Sequence, residues 1–190
     1  MNFSENISNK LTEIITIELN YSKDKKELIA YATETVILFV LNLLLIMFLG
    51  YALNVFIPTL VAAIFGGSLR RISGGAHFNT PLKCLTISSI TYTLIGVLTK
   101  ELINCCLIDQ TILIILLILS FLLVAFLAPV DSESKPIRSS SLKMRLKVSS
   151  IFFVVVTFLL IPFIDNVSVS MVLGVFYQSI TLLPVFNKRR

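Results

Sequence analysis

Six apolar stretches alternate with short polar blocks along this chain. They span 36–49, 52–68, 84–98, 111–128, 148–164 and 167–186, and none contains Asp, Glu, Lys, Arg or His. Most of these lengths approach the roughly 20 residues that a helix needs to cross the hydrocarbon core of a bilayer. The pattern predicts an all-α integral membrane protein, a polytopic helical bundle of about six hydrophobic segments that forms a single membrane domain over residues 1–190.

The stretch 35–65 could form one long helix or a hairpin that turns at Gly50-Tyr51. Cytoplasmic loops of membrane proteins collect lysine and arginine. With a hairpin and a cytoplasmic N-terminus, 15 of the 16 basic residues fall in inside segments and only Lys100 falls outside. The inside segments are 1–35, 69–83, 129–147 and 187–190. We therefore expect the hairpin, with both termini in the cytoplasm.

Two N-terminal features qualify this topology. A helix over 36–49 would be only about 21 Å long, so this segment either spans a thinned bilayer or is re-entrant. Before it, apolar residues recur at helical spacing between Phe3 and Leu19. This spacing predicts an amphipathic helix, either in the membrane interface or packed on the cytoplasmic loops.

Composition narrows the class of chemistry. Hydrophobic residues make up 56% of the chain and charged residues 14%, against about 25% charged in a soluble domain. Cys84, Cys105 and Cys106 form no CxxC metal motif, and a single histidine excludes an HExxH zinc protease. We predict no metal and no cofactor. The net charge of +5 follows from the basic loops and does not indicate nucleic-acid binding.

A small permease or peptide exporter without covalent chemistry is one functional alternative. Ion-coupled carriers need ionisable groups within the membrane, and the six apolar stretches contain none. Their polar candidates are Asn42, Asn54 and Gln178, together with hydroxyl groups. Such residues more often join helices than bind a substrate. Retained function after Cys84→Ala would favour the permease, and a neighbouring propeptide gene would favour a peptidase.

The loop 69–83 and the start of the next helix hold the candidate chemistry. Pro81 suits the first position of a helix, with Thr80 as its N-cap. Cys84 then ends the first helical turn, where the helix dipole and Lys83 favour a thiolate. The turn Gly74-Gly75 permits unusual backbone conformations, so the loop can fold His77 back toward the sulfur. A packing cysteine and an uninvolved loop histidine are the alternative interpretation.

These residues also carry a family resemblance. Arg70-Arg71, Gly74-Gly75, His77 and Cys84 occur in this order, followed by Lys135-Pro136-Ile137 and Thr181-Leu182-Leu183-Pro184. Over essentially its whole length the sequence resembles the AgrB family, the accessory gene regulator B proteins of Gram-positive quorum sensing. One departure is Phe78, where the family commonly has a small residue.

The resemblance implies a bacterial cell-membrane cysteine endopeptidase that cleaves an AgrD-type propeptide and enables its cyclisation to a thiolactone or lactone. It implies Cys84 as nucleophile and His77 as general base and later acid. Substrate binding or loop shaping is implied for Arg70, Arg71, Gly74, Gly75, Lys135 and Pro136. A homodimer in membrane lipid is implied as well. Ring size, cleavage site and peptide specificity stay open.

Overall fold

The computed structural model describes Ser8, Lys10, Thr12 and Glu13 and residues 22–75, 80–105, 107–130, 139–163 and 167–186. These residues form six α-helices, and no strand occurs among them. The helices are α1 Lys23–Ala52, α2 Phe56–Ser73, α3 Pro81–Asn104, α4 Gln110–Leu127, α5 Ser140–Leu160 and α6 Ser168–Ile180. A 3₁₀ turn, Ile161–Phe163, extends α5. The all-helical prediction is therefore confirmed for the described part of the chain.

The first two helices form the predicted hairpin. Near the bend, a Cβ at Gly50 would lie 3.3 Å from Phe56 Cα, and farther along, the Arg71 guanidinium lies 4.5 Å from the centre of the Phe39 ring. These two contacts require antiparallel helices. The bend itself lies at residues 53–55, slightly later than the predicted Gly50-Tyr51. Asn54 is exposed there with φ 54°, a left-handed conformation that asparagine tolerates, so it joins no helices.

Helix α1 is longer than the apolar stretch within it. Its 30 residues extend about 45 Å at 1.5 Å per residue, because the polar residues from Lys23 onward continue the helix. This length removes the geometric reason for a re-entrant 36–49 segment. Asn42 does join helices, since its Oδ1 accepts hydrogen bonds from Ser89 at 2.7 Å and Ser88 at 3.3 Å on α3.

Helix α2 is the central helix of the bundle. Its buried positions recur every three or four residues and are mostly small: Thr59, Ala62, Gly66, Leu69 and Ser73. Small side chains let neighbouring backbones approach closely, as is common between helices in membranes. A Cβ at Gly66 would lie 2.8 Å from both the Gly174 carbonyl of α6 and the Tyr92 ring of α3. This stripe therefore brings α3 and α6 against α2 at the same level.

The helix ends lie at two opposite faces of the bundle. The Ser73 carbonyl accepts a hydrogen bond from Val130 N at 2.9 Å, and Gly74 O accepts one from Gln178 Nε2 at 2.8 Å. The end of α2, the chain after α4 and the end of α6 therefore meet. With the start of α3, they form one face of the bundle, defined by residues 70–75, 80–84, 128–130 and 178–182. We call it the junction face.

The rest of the bundle surface is suited to contact with lipid. Four helices are long and apolar enough to cross a membrane: Lys23–Ala52, Pro81–Asn104, Gln110–Leu127 and Ser140–Phe163. Large apolar side chains point outward on them, including Phe126 at 81% and Phe163 at 82% exposure, which would favour aggregation in water. The sequence predicted six hydrophobic segments, and α2 and α6, which lie in the other two, are not among these four long apolar helices. Helix α2 ends with two arginines and α6 has only 13 residues.

The predicted N-terminal helix lies largely outside the described residues. Ser8, Lys10, Thr12 and Glu13 are helical, and Ser8 Oγ donates a hydrogen bond to the Ala30 carbonyl of α1 at 2.9 Å. Ser8 and Thr12 are both buried. This part of the segment packs against α1.

Reporter fusions should place the junction face in the cytoplasm. Arg70, Arg71 and Lys83 lie at that face, whereas Lys100 lies about 26 Å beyond Lys83 along α3. Arg145 lies in the second turn of α5, within the segment 129–147 that the sequence predicts to be cytoplasmic. We expect fusions or cysteine labels near Arg70 and Arg145 to report the cytoplasm and those near Lys100 the outside. If Arg70 and Arg145 labelled from opposite sides, the common face would be contradicted.

Candidate active site

Cys84 lies where the sequence predicted it, at the end of the first turn of α3. The helix begins at Pro81, and Thr80 is the N-cap residue with extended backbone angles, φ −128° and ψ 138°. The N–H of Cys84 closes the first turn by donating to the Thr80 carbonyl at 3.2 Å. The backbone N–H groups of Leu82 and Lys83 therefore have no partner within the helix. The Thr80 side chain makes no capping hydrogen bond.

The two adjacent arginines have different surroundings. Arg70 Nη2 donates to Cys84 Sγ at 3.4 Å across the α2–α3 interface, and both residues are partly buried. Arg71 is exposed and stacks over Phe39 of α1, a cation–π arrangement. Of these two arginines, only Arg70 therefore places a positive charge at the Cys84 sulfur. The sequence pattern does not distinguish the two arginines, whereas the structure shows that they make different contacts.

The Gly74-Gly75 turn is enclosed on two sides. Both residues have positive φ, 74° and 138°, which disfavours any residue with a side chain. A Cβ on Gly74 would collide with the Val130 carbonyl. A Cβ on Gly75 would lie 2.8 Å from both Gln178 Nε2 and Thr181 Oγ1. The turn therefore depends on two glycines and on contacts from the chain after α4 and from α6.

A buried tyrosine and a partly buried tyrosine contact each other in the bundle. Tyr92 of α3 and Tyr177 of α6 contact edge to face, with ring centres 6.1 Å apart. Tyr92 is 3% exposed, and its hydroxyl has no hydrogen-bond partner among the described residues. The Tyr92 hydroxyl lies 2.9 Å from the position that a Cβ on Gly66 would occupy, one helical turn before Arg70 on α2. Tyr92 therefore lies on the interior side of the Arg70–Cys84 contact.

The structure brings together only part of the predicted site. Arg70, Gly74, Gly75 and Cys84 all lie at the junction face. The predictions for His77, Lys135 and Pro136 lie outside the described residues. Cys105 is the exposed C-cap residue of α3 at the opposite face, and Cys106 lies outside the described residues.

Sequence reasoning missed the role of Gln178 at this face. It was expected to join helices, and it does join α6 to the C-cap residue of α2, but the residue that it holds also begins the Gly74-Gly75 turn. Gln178 could have been singled out from the sequence. It lies three residues before Thr181, in an apolar stretch whose other polar side chains are all hydroxyl groups.

Fold and site together define a polytopic helical membrane protein with an arginine-contacted cysteine at a helix start. The family model for accessory gene regulator B matches residues 6–182, so the chain belongs to the AgrB family. AgrB proteins are propeptide-processing membrane peptidases of quorum sensing, and membership implies that role here.

Individual relatives agree with this assignment. An AgrB-like protein of Clostridium perfringens strain SM101 is 28% identical over 198 residues, which cover 96% of this chain and 92% of the relative. Accessory gene regulator protein B of Staphylococcus aureus strain MRSA252 is 32% identical over 145 residues, covering 74% and 73%. No solved structure matches the chain.

Proposed function

We propose that this chain is a membrane cysteine endopeptidase that cleaves an AgrD-type propeptide and retains its N-terminal part as a thioester on Cys84. The observation that carries the proposal is the contact between Arg70 Nη2 and Cys84 Sγ at the first turn of α3. A cysteine nucleophile needs surroundings that favour the thiolate, and cations and helix N-termini both do so. Cys84 has both features.

In the proposed reaction, Cys84 Sγ attacks a carbonyl carbon of the propeptide and His77 accepts the thiol proton. The C–N bond then breaks, and His77 returns the proton to the departing amine of the C-terminal part. A nucleophilic side chain of the retained peptide next attacks the thioester. The acyl C–S bond to Cys84 breaks as the thiolactone or lactone forms, and the proton lost by the attacking side chain passes through His77 to the Cys84 sulfur. Because a thioester is close in energy to a thiolactone, cyclisation conserves the energy that hydrolysis would dissipate.

Arg70 is placed to stabilise negative charge during this reaction. The oxyanion forms on the carbon that is bonded to sulfur, so it develops within a few ångströms of the guanidinium. Arginine offers five N–H donors in a planar fork, so a second donor can contact the oxyanion. The N–H groups of Leu82 and Lys83 are further candidates. A site beside the membrane that limits water access favours cyclisation over hydrolysis.

Arg71 and Lys83 are exposed at the same face and would attract the acidic tail of a propeptide electrostatically. By resemblance to the family, the basic residue Lys135 and the following Pro136 are proposed for substrate binding or loop shape. The active form is proposed to be a homodimer in lipid, with the active site in the cytoplasm.

Co-expression with a matching propeptide tests the function directly. Mass spectrometry should detect the released C-terminal tail and a ring-closed peptide that weighs one water less than its linear form. Export of unprocessed propeptide, with neither product formed, would favour the permease alternative.

Neutralising Arg70 should reduce catalysis far more than neutralising Arg71. Arg70→Gln removes the donor at Cys84, and we expect kcat to fall by roughly 100-fold, as when one oxyanion donor is lost. Arg71→Gln should mainly raise KM, and more so at low ionic strength because salt screens exposed charges. Equal losses in the two variants, at equal membrane levels, would contradict the distinction.

A further inference from the structure

We infer that Gln178 of α6 is a positioning residue for the proposed cleavage, acting by holding the Gly74-Gly75 turn that leads into His77. The inference rests on the proposed cysteine-peptidase function. Gln178 lies far along the chain from the site and makes no contact with Cys84 that the structure records. Its assigned role is to set the direction in which the chain leaves α2.

The first support is the hydrogen bond itself. Gln178 is fully buried, and its Nε2 donates to the Gly74 carbonyl at 2.8 Å. The same nitrogen lies 2.8 Å from the position that a Cβ on Gly75 would occupy, beside Thr181 Oγ1. One amide group therefore contacts both residues of the turn. The Ser73 carbonyl, held by Val130 N, fixes the turn from the other side.

The second support is an unpartnered atom. Gln178 Oε1 is buried and has no hydrogen-bond partner among the described residues. A buried acceptor without a partner destabilises the fold, so packing alone would favour an apolar side chain of similar volume here. Because Oε1 and Nε2 share one carbon atom, this acceptor also lies beside the turn. The amide is better explained by the turn that it holds than by stability.

The consequence for chemistry follows from chain continuity. His77 is two residues after Gly75 in the sequence, so its Cα lies within about 7 Å of the Gly75 Cα and depends on the direction in which the chain leaves the turn. A displacement of about 1 Å in a catalytic group can reduce a rate by about 100-fold. Loss of the Gln178 clamp should therefore lower kcat, while propeptide affinity, which depends on the exposed cations, should change little.

The test uses the full-length protein in lipid nanodiscs with a matching AgrD-type propeptide. Gln178→Leu keeps the side-chain volume and removes the amide. Ser179→Ala is the matched control, since Ser179 is equally buried on α6 but its hydroxyl donates to the Val175 carbonyl of its own helix. We expect Gln178→Leu to lower kcat by about 10- to 100-fold, with KM within about twofold of the original protein, and Ser179→Ala to leave both nearly unchanged.

A double mutant separates positioning from general damage. If Gln178 acts by placing His77, the variant Gln178→Leu/His77→Ala should be no slower than His77→Ala alone, because nothing is left to position. Multiplicative losses, an unchanged kcat in Gln178→Leu, or an equal loss in Ser179→Ala would overturn the inference. Should Gln178→Leu fail to insert, Gln178→Met is held to the same criteria.

The same assay keeps the two proposals distinguishable. The proposed function fails if the original protein does not cleave, or if Cys84→Ala cleaves as fast as the original. The positioning role of Gln178 fails only when cleavage depends on Cys84 and the Gln178 variants meet one of the contradicting outcomes above.

Discussion

Replacing Cys84 by alanine should abolish propeptide cleavage while the protein still inserts in the membrane. The side chain is only partly buried and contacts Arg70 at a helix start, so its loss removes little packing. Without the sulfur no thioester can form, and we expect cleavage to fall by at least about 1,000-fold, the scale seen when a catalytic nucleophile is removed. Quantitative mass spectrometry of the released tail measures this loss.

Cys84→Ser tests whether a thiolate is required. A serine hydroxyl is a far weaker nucleophile than a thiol at neutral pH unless a base activates it strongly. We expect this variant to be nearly inactive. Any acyl group that it accepts from the propeptide should remain bound as an ester to the serine oxygen at position 84. Propeptide binding, measured by co-purification, should persist in both variants. Cleavage at the original rate in Cys84→Ala would remove the basis of the peptidase mechanism.

Gly75→Ala should be nearly as damaging, for a reason that lies in the fold. The added methyl group would lie 2.8 Å from Gln178 Nε2 and from Thr181 Oγ1, and alanine rarely adopts the φ of 138° found here. Gln178 is fully buried, and moving its amide aside would break its hydrogen bond to the Gly74 carbonyl. The turn must change shape, so we expect kcat to fall by about 100-fold. Steady-state kinetics at matched membrane protein levels would show this fall.

Gly67→Ala is the matched control for this prediction. Gly67 lies on α2, and a Cβ there would have nothing within 4 Å. Alanine also favours a helix by about 1 kcal/mol over glycine, so this variant should insert normally and cleave at the original rate. If Gly67→Ala and Gly75→Ala lost activity equally, the enclosed turn would not explain the loss.

The helices could be predicted from sequence because lipid imposes a simple rule on them. Apolar stretches free of charge mark where the chain can lie in hydrocarbon, and each of the six contains or overlaps one helix. Their ends could not be predicted in the same way. Helix α1 begins at Lys23, because polar residues can continue a helix beyond the lipid. Hydropathy marks only the apolar stretch and not where such a helix begins. Helix α6 ends at Ile180, shortly before Pro184, which cannot continue a helix.

The helix start at Pro81 was predictable because proline and its N-cap are local signals. The partner of Cys84 was not, because it comes from another helix. Arg70 follows Gly66 by one helical turn and shares its inward face, whereas Arg71 is rotated toward α1. That difference depends on which side of α2 packs against α3. The contact of Gln178 with Gly74 similarly requires the parallel packing of α6 on α2.

The central claim is that Cys84 carries the peptide as a thioester, and trapping that adduct tests it most directly. A propeptide whose ring-forming side chain is removed should leave the acyl group on the enzyme, where only water can release it. Intact-protein mass spectrometry should then show the chain plus the N-terminal part of the propeptide, released by hydroxylamine and absent in Cys84→Ala. An adduct that maps to another residue, or cleavage with no adduct at any time, would contradict the account.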